Sequence, residues 1–150
     1  MEYAVIGLLI LLNGFFALSE IALVSSKRSR LEQLKQEGVR GSATALKLHG
    51  SSENFLSAIQ VGITLISIFN GVYGGLSIAE DFIPFFQRFE ALYEYANEIA
   101  LVLTVLLITF FSILIGELVP KTIALTNPER IASRIAPSIH IFSMIFYPVV

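Results

Sequence analysis

The sequence contains no cysteine. That excludes disulfides, thiol catalysis and cysteine-ligated zinc or iron–sulfur centres together. Any metal must be held by oxygen or by His49 and His140, and these two are not spaced as a ligand pair. There is no Gly-x-Ser-x-Gly, no HExxH and no glycine-rich phosphate loop, so no group of nucleophile, base and orienting residue suggests itself and the expected class is not an enzyme. The formal net charge is only -2, and no run of like charges is long enough to serve as a solvated tail or to meet nucleic acid. No basic residue precedes the first apolar block, and that block is too long for the apolar part of a secretory signal, so it is expected to be retained as a span.

What the sequence does hold is apolar surface. At 55% hydrophobic residues it has more than a soluble domain of 150 residues needs for its core. The excess lies in blocks long enough to cross a hydrocarbon layer of about 30 Å, which takes about 20 helical residues. The expected fold is an all-α integral membrane domain over residues 1–150, with three transmembrane helices near 3–24, 55–78 and 98–117. A connector of alternating charge and leucine fills 25–54 and is broken near Gly38 and Gly41. Short interfacial helices rich in aromatic residues around Pro84 occupy 79–97. Asn127-Pro128-Glu129 starts a last helix over 128–150, which contains Arg134, Pro137, His140 and Pro148 and reads as an interfacial helix or half-span rather than a crossing. The chain stops inside this apolar run, which predicts further sequence downstream.

Charge sets the orientation. With three spans and the amino terminus outside, Lys27, Arg28, Arg30, Lys35, Arg40, Lys47, Lys121, Arg130 and Arg134 are all cytoplasmic and Arg88 alone is outside. The outer connection is acidic, with Glu80, Asp81, Glu90, Glu94 and Glu98. The expectation is a multi-pass protein of the plasma membrane with the 25–54 connector and the carboxyl terminus in the cytoplasm.

Within the spans, Glu20 and Glu117 are the residues that call for an explanation, because an ionised carboxylate in hydrocarbon costs at least a few kcal/mol. Both lie close to the predicted inner boundary, where a side chain can snorkel into the headgroups. Glu117 also stands between Gly116 and Pro120, where a helix loosens and frees carbonyls beside the carboxylate, an environment for a hard cation. In the second span Gln60, Thr64, Ser67, Gly71 and Gly74 recur at three- or four-residue spacing with Asn70 close by, so they share one face turned from lipid. Such a stripe serves helix packing or supplies oxygen ligands. Asn13 and Ser19 stand on the first span. Ser19 alone is explained by a bond to a carbonyl one turn back. Ser19, Ser67, Asn70 and Glu117 meet in the inner half of the membrane only if the second helix begins near residues 51–54. Lys121 is either a boundary anchor or a counter-charge to Glu117.

Three segments, Asn13-Gly14-Phe15-Phe16-Ala17-Leu18-Ser19-Glu20, Gln60-Val61-Gly62-Ile63-Thr64 through Asn70-Gly71, and Gly116-Glu117-Leu118-Val119-Pro120-Lys121, resemble the transmembrane domain of the CorC and cyclin M (CNNM) magnesium transporters, also called DUF21. The resemblance covers almost the whole chain. It implies a homodimer with three spans per subunit, a belt-like juxtamembrane helix, and an inward-facing acidic cavity for Mg2+. It also implies export driven by Na+ entry, and a cytoplasmic pair of CBS domains in the full-length protein that is absent from these residues. Carried onto this chain, the implied Mg2+ ligands are Ser19, Ser67, Asn70 and Glu117, with the backbone of Gly116 as a further candidate and Ser25 or Thr64 as replacements for one member. Two functions follow: a magnesium exporter, or a magnesium-sensing membrane regulator that moves no ion itself.

Overall fold

The computed structural model describes residues 1–146, without the side chains of Ser52, Leu76 and Ala91. The last four residues of the expected 128–150 helix, Pro148 among them, lie outside the described residues. Among the described residues there is no β-strand. Three helical stretches are long and apolar enough to cross a membrane: Glu2–Ser25, Glu53–Phe86 and Leu92–Thr126.

The first span is α1 (Glu2–Ser25). Two short helices, α2 (Arg28–Gln36) and α3 (Ser42–Gly50), form the connector. The break between them has a local cause. After α2, Gly38 takes the left-handed conformation (φ 75°), so that Gly38 N–H donates to the Lys35 carbonyl and Val39 N–H to the Leu34 carbonyl, a glycine-based helix stop. Gly41 is also left-handed (φ 82°), and a Cβ there would collide with the Ser133 carbonyl, so the turn is held directly against the last helix.

The second span, α4 (Ser52–Ser77), starts at Ser52, below the block edge at 55 and inside the window that the convergence of polar residues requires. It continues into α5 (Ala79–Phe86) and a 3-10 turn (Glu90–Tyr95), short helical segments within the stretch 79–97. Phe85, Phe89, Tyr93 and Tyr95 are exposed, and Tyr3 Oη donates to Asp81 at 2.5 Å, tying the start of α1 to α5. The third span is α6 (Ala96–Ile113), which runs through a π-helical turn (Leu114–Leu118) into α7 (Val119–Thr126). Most of the exposed side chains along α6 are apolar, as a face toward lipid or another subunit requires.

The last helix, α8 (Pro128–Phe146), begins where Asn127 accepts the Ile131 N–H. Its position settles how it meets the bundle. Glu129 Oε1 accepts the Lys27 N–H at 3.1 Å, just past the end of α1, whereas Phe142 stacks on Phe16 with ring centroids 4.6 Å apart. From residue 27 to residue 16 a helix rises about 16 Å, so α8 climbs along the lower half of α1. It buries Ala132, Ile135, Ala136 and Ile139 and exposes Ile141, Met144 and Ile145.

Two apolar clusters hold the bundle. One, at the basic end, joins Phe16, Leu23, Leu31, Phe55, Ile59, Ile66 and Ile139. The other, at the opposite end, joins Ile6, Ile10, Ile78 and Ile108. On α1 the interval between them contains Asn13, and on α4 it contains Asn70. Phe55 is 1% exposed in the first cluster, which also takes in Leu48 of α3 and Ile139 of α8. Phe55→Ala is expected to cost about 3 kcal/mol through cavity formation. It should lower the thermal midpoint of the detergent-solubilised protein by several degrees, and an unchanged midpoint would show that this cluster does not anchor the connector.

Candidate functional site

The site begins with a defect in the third span. Val119 N–H donates to the Leu114 carbonyl five residues back, so the helix makes one wide π turn at Leu114–Leu118. One feature of the sequence favours it. Pro120 has no N–H, so the Gly116 carbonyl lacks the donor an uninterrupted α-helix supplies. The carbonyl accepts instead from Asn13 Nδ2 on α1, at 3.1 Å. This cross-helix bond depends on close approach. A Cβ on Gly14 would stand 3.0 Å from Pro120 Cγ and 3.3 Å from the Ile115 carbonyl oxygen, and one on Gly116 would stand 3.3 Å from the Ile10 carbonyl oxygen. Glycine on both sides lets the two backbones cross here.

The wide turn carries Ser112 and Glu117 to one face, opposite Ser67, Asn70 and Gly71 of α4 and Asn13 of α1. Together with Thr109 they line a cavity of about 160 Å³ whose apolar side is Val105, Ile108 and Ile113. Asn13 Oδ1, Asn70 Oδ1 and Ser112 Oγ are buried there without a hydrogen-bond partner. Leaving such an acceptor unsatisfied costs about 1–3 kcal/mol. Because Asn13 Nδ2 is committed to Gly116, its carbonyl oxygen is the atom left for the cavity. Three orphaned oxygens around one carboxylate fit a cation. Among the described residues no cluster of three or more His, Asp or Glu could hold a metal. A cation held here would take its charge from Glu117 and the rest of its ligation from neutral oxygens and water, as a hard oxygen-seeking ion accepts.

Of the residues expected at the site, Ser67, Asn70 and Glu117 are brought together. Gly116 does not line the cavity; it is buried, with its carbonyl engaged by Asn13. Ser19 does not line the cavity: it is fully buried and donates to the Phe15 carbonyl at 2.6 Å, the local helix bond that a lone membrane serine makes. Thr64 likewise donates to the Gln60 carbonyl. Thr64 and Gln60 line a separate open groove of about 560 Å³ with Ser57 and Glu20. The polar face of α4 is thus divided along its length, the groove toward the basic end and the cavity deeper in. Lys121 joins the two: its Nζ is 3.8 Å from Glu20 Oε2 and 3.9 Å from Glu117 Oε2. The lysine is a counter-charge shared by both carboxylates.

Thr109 and Ser112 were not among the expected site residues, because on an α-helical wheel Ser112 and Glu117 fall on different faces. The signal that finds them is Pro120 four residues after Gly116, which removes a helical hydrogen bond and favours the wider turn.

The model of the cyclin M transmembrane N-terminal domain matches residues 4–150. A relative from Synechocystis sp., UPF0053 protein sll0260, is 45% identical over 150 residues, all of this chain and 34% of the relative. UPF0053 protein YhdT of Bacillus subtilis is 35% identical over 143 residues, 95% of this chain and 31% of the relative. A protein of Salmonella typhimurium named polyamine export protein is 29% identical over 146 residues, 97% of this chain and 32% of the relative. The chain spans about a third of the length of these curated relatives. With its match running through all three spans and the π turn within the third, this multi-pass membrane chain belongs to the cyclin M transmembrane N-terminal domain family.

Proposed function

We propose that the chain is the membrane part of a magnesium exporter, and that the cavity between α1, α4 and the π turn is where the cytoplasmic ion is captured. The observation that carries this reading is the set of buried oxygens without a hydrogen-bond partner, Asn13 Oδ1, Asn70 Oδ1 and Ser112 Oγ, on residues that line the same cavity as Ser67 and Glu117. Mg2+ keeps some of its waters and takes the rest of an octahedron from oxygen. An ordered water needs at least about 10–15 Å³, so 160 Å³ accommodates an ion with several waters.

The basic residues of α2, α3 and the first turns of α8 gather at one end of the bundle, and their excess supports placing that end in the cytoplasm and the amino terminus outside. The groove containing Glu20 then faces the cytoplasm and leads along α4 toward the cavity, with Lys121 between them. Helices rocking about a midplane site give alternating access, with Na+ entry as the coupling reaction. The exposed apolar face of α6 suits a homodimer, and a cytoplasmic CBS pair is the expected regulatory partner downstream.

The name of the Salmonella relative introduces a second cargo, a polyamine, since ammonium groups also donate to neutral oxygens. The single carboxylate on the cavity favours one compact cation over a chain of several charges. Asn70→Ala removes one neutral oxygen and is expected to weaken Mg2+ binding about 3- to 10-fold by calorimetry, the value of a single polar interaction. Wild-type affinity in this variant would remove Asn70 from the site. Flux measurements in proteoliposomes separate the functions. Na+-dependent Mg2+ movement is expected, binding without movement would establish the sensor and regulator reading, and spermidine movement without Mg2+ movement would establish the polyamine.

A further inference from the structure

A second built concavity lies far from the cation cavity, at the basic end, between the turn joining α2 to α3 and the first half of α8. It measures about 600 Å³, and Arg40, Arg130 and Arg134 line it with Leu34, Val39 and Pro137. We propose that these three arginines bind the phosphate of an anionic phospholipid headgroup.

Charge is the first support. One carboxylate, Glu37, shares the notch, and it accepts from Gln33 Nε2 at 2.9 Å. The neighbouring Glu129 accepts the Lys27 N–H. Among the described residues, none of the three guanidiniums has a carboxylate within 4.0 Å. Three arginines without an ion-pair partner against one engaged carboxylate leave a net positive concavity, and the forked donors of arginine suit phosphate oxygens.

Depth is the second, and it selects a lipid over a soluble anion. The start of α8 is pinned beside Lys27 at the end of the first span, and the same helix reaches Phe16 and exposes Ile141, Met144 and Ile145 further along. Arg130 and Arg134 therefore sit where hydrocarbon gives way to headgroups, and basic residues at that level attract anionic lipid. Val39 and Pro137, both exposed, offer apolar contact to a glycerol and the first acyl carbons, which free phosphate does not need. The notch is also preformed. Left-handed Gly41 lets the α2–α3 turn touch the Ser133 backbone, which brings Arg40 to the same concavity as Arg130 and Arg134. The inference is independent of what the cavity transports.

The test is native mass spectrometry of the full-length protein in detergent with equal phosphatidylglycerol and phosphatidylcholine. Wild type is expected to retain phosphatidylglycerol about fivefold or more in excess, since each basic residue at the headgroup level contributes about that factor. Arg40→Gln/Arg130→Gln/Arg134→Gln should reduce the preference to parity, whereas Lys47→Gln, exposed on α3 and outside the notch, should leave it unchanged. If the triple variant fails to fold, Arg134→Gln alone should halve the preference or more. Equal retention of the two lipids by wild type, or undiminished preference in folded arginine variants, overturns the proposal. So does displacement of the lipid by millimolar inorganic phosphate, which would make this a soluble-anion site, or loss of the lipid when the downstream cytoplasmic region is present but not when it is cleaved away.

Discussion

Glu117→Gln is expected to weaken Mg2+ binding about 10- to 100-fold while leaving the helical bundle folded. The side chain is the single carboxylate lining the cavity, and it is partly exposed, at 41%. Screening by solvent and by Lys121 therefore limits its contribution to about 1.5–3 kcal/mol, the range for an interaction with a charged group, and that range gives the factor. The substitution keeps size and one oxygen, and Lys121 retains Glu20 as a partner, so stability should change little. Lys121→Gln gives the converse. Releasing the shared counter-charge should tighten Mg2+ binding several-fold if Glu117 faces the ion. Calorimetry on both variants reads the pair of effects, and equal affinity in wild type and Glu117→Gln would remove the carboxylate from the site.

Gly14→Leu is expected to have the largest structural effect of any single change on α1. A Cβ there already meets Pro120 and the Ile115 carbonyl oxygen at 3.0 and 3.3 Å, the second of these backbone, which cannot rotate away. A leucine must push α1 off the π turn, at an overpacking cost of about 1–3 kcal/mol. The displacement breaks the Asn13–Gly116 bond and opens the cavity wall. A thermal midpoint lowered by several degrees and loss of measurable Mg2+ binding are the expected results. Gly7 on the same helix has nothing within 4 Å of its Cβ position, so Gly7→Leu should match wild type in both measurements. A Gly14→Leu protein with full stability and affinity would mean that the helix crossing does not support the site.

Much of the site could be read in the sequence because its residues are chemically out of place in lipid. Asn70 and Glu117 stand out in any apolar block, and their spacing relative to Gly71 and Gly116 puts them near small residues where helices approach. Ser19 stands out for the same reason yet turns to its own helix, since a serine hydroxyl can satisfy itself on a carbonyl four residues back and needs no second helix. Ser112 and Thr109 show the reverse case. Their hydroxyls look ordinary in a third span, and only the wide turn after them gives Ser112 a place beside Glu117.

By itself the sequence determined the three spans, the basic and acidic ends and the family, because hydropathy over about 20 residues and the position of charge are properties of a segment alone. The tertiary structure decided which polar groups meet. In a bilayer the lipid is as apolar as a neighbouring helix, so burial leaves little trace in the sequence, and packing is set by where backbones can touch and hydrogen bonds can close. The bond that places the cavity joins Asn13 to Gly116, residues 103 positions apart. The sharing of Lys121 between two carboxylates, the climb of α8 along α1 and the clustering of Arg40 with Arg130 and Arg134 are decided the same way, by contacts between helices distant in the chain.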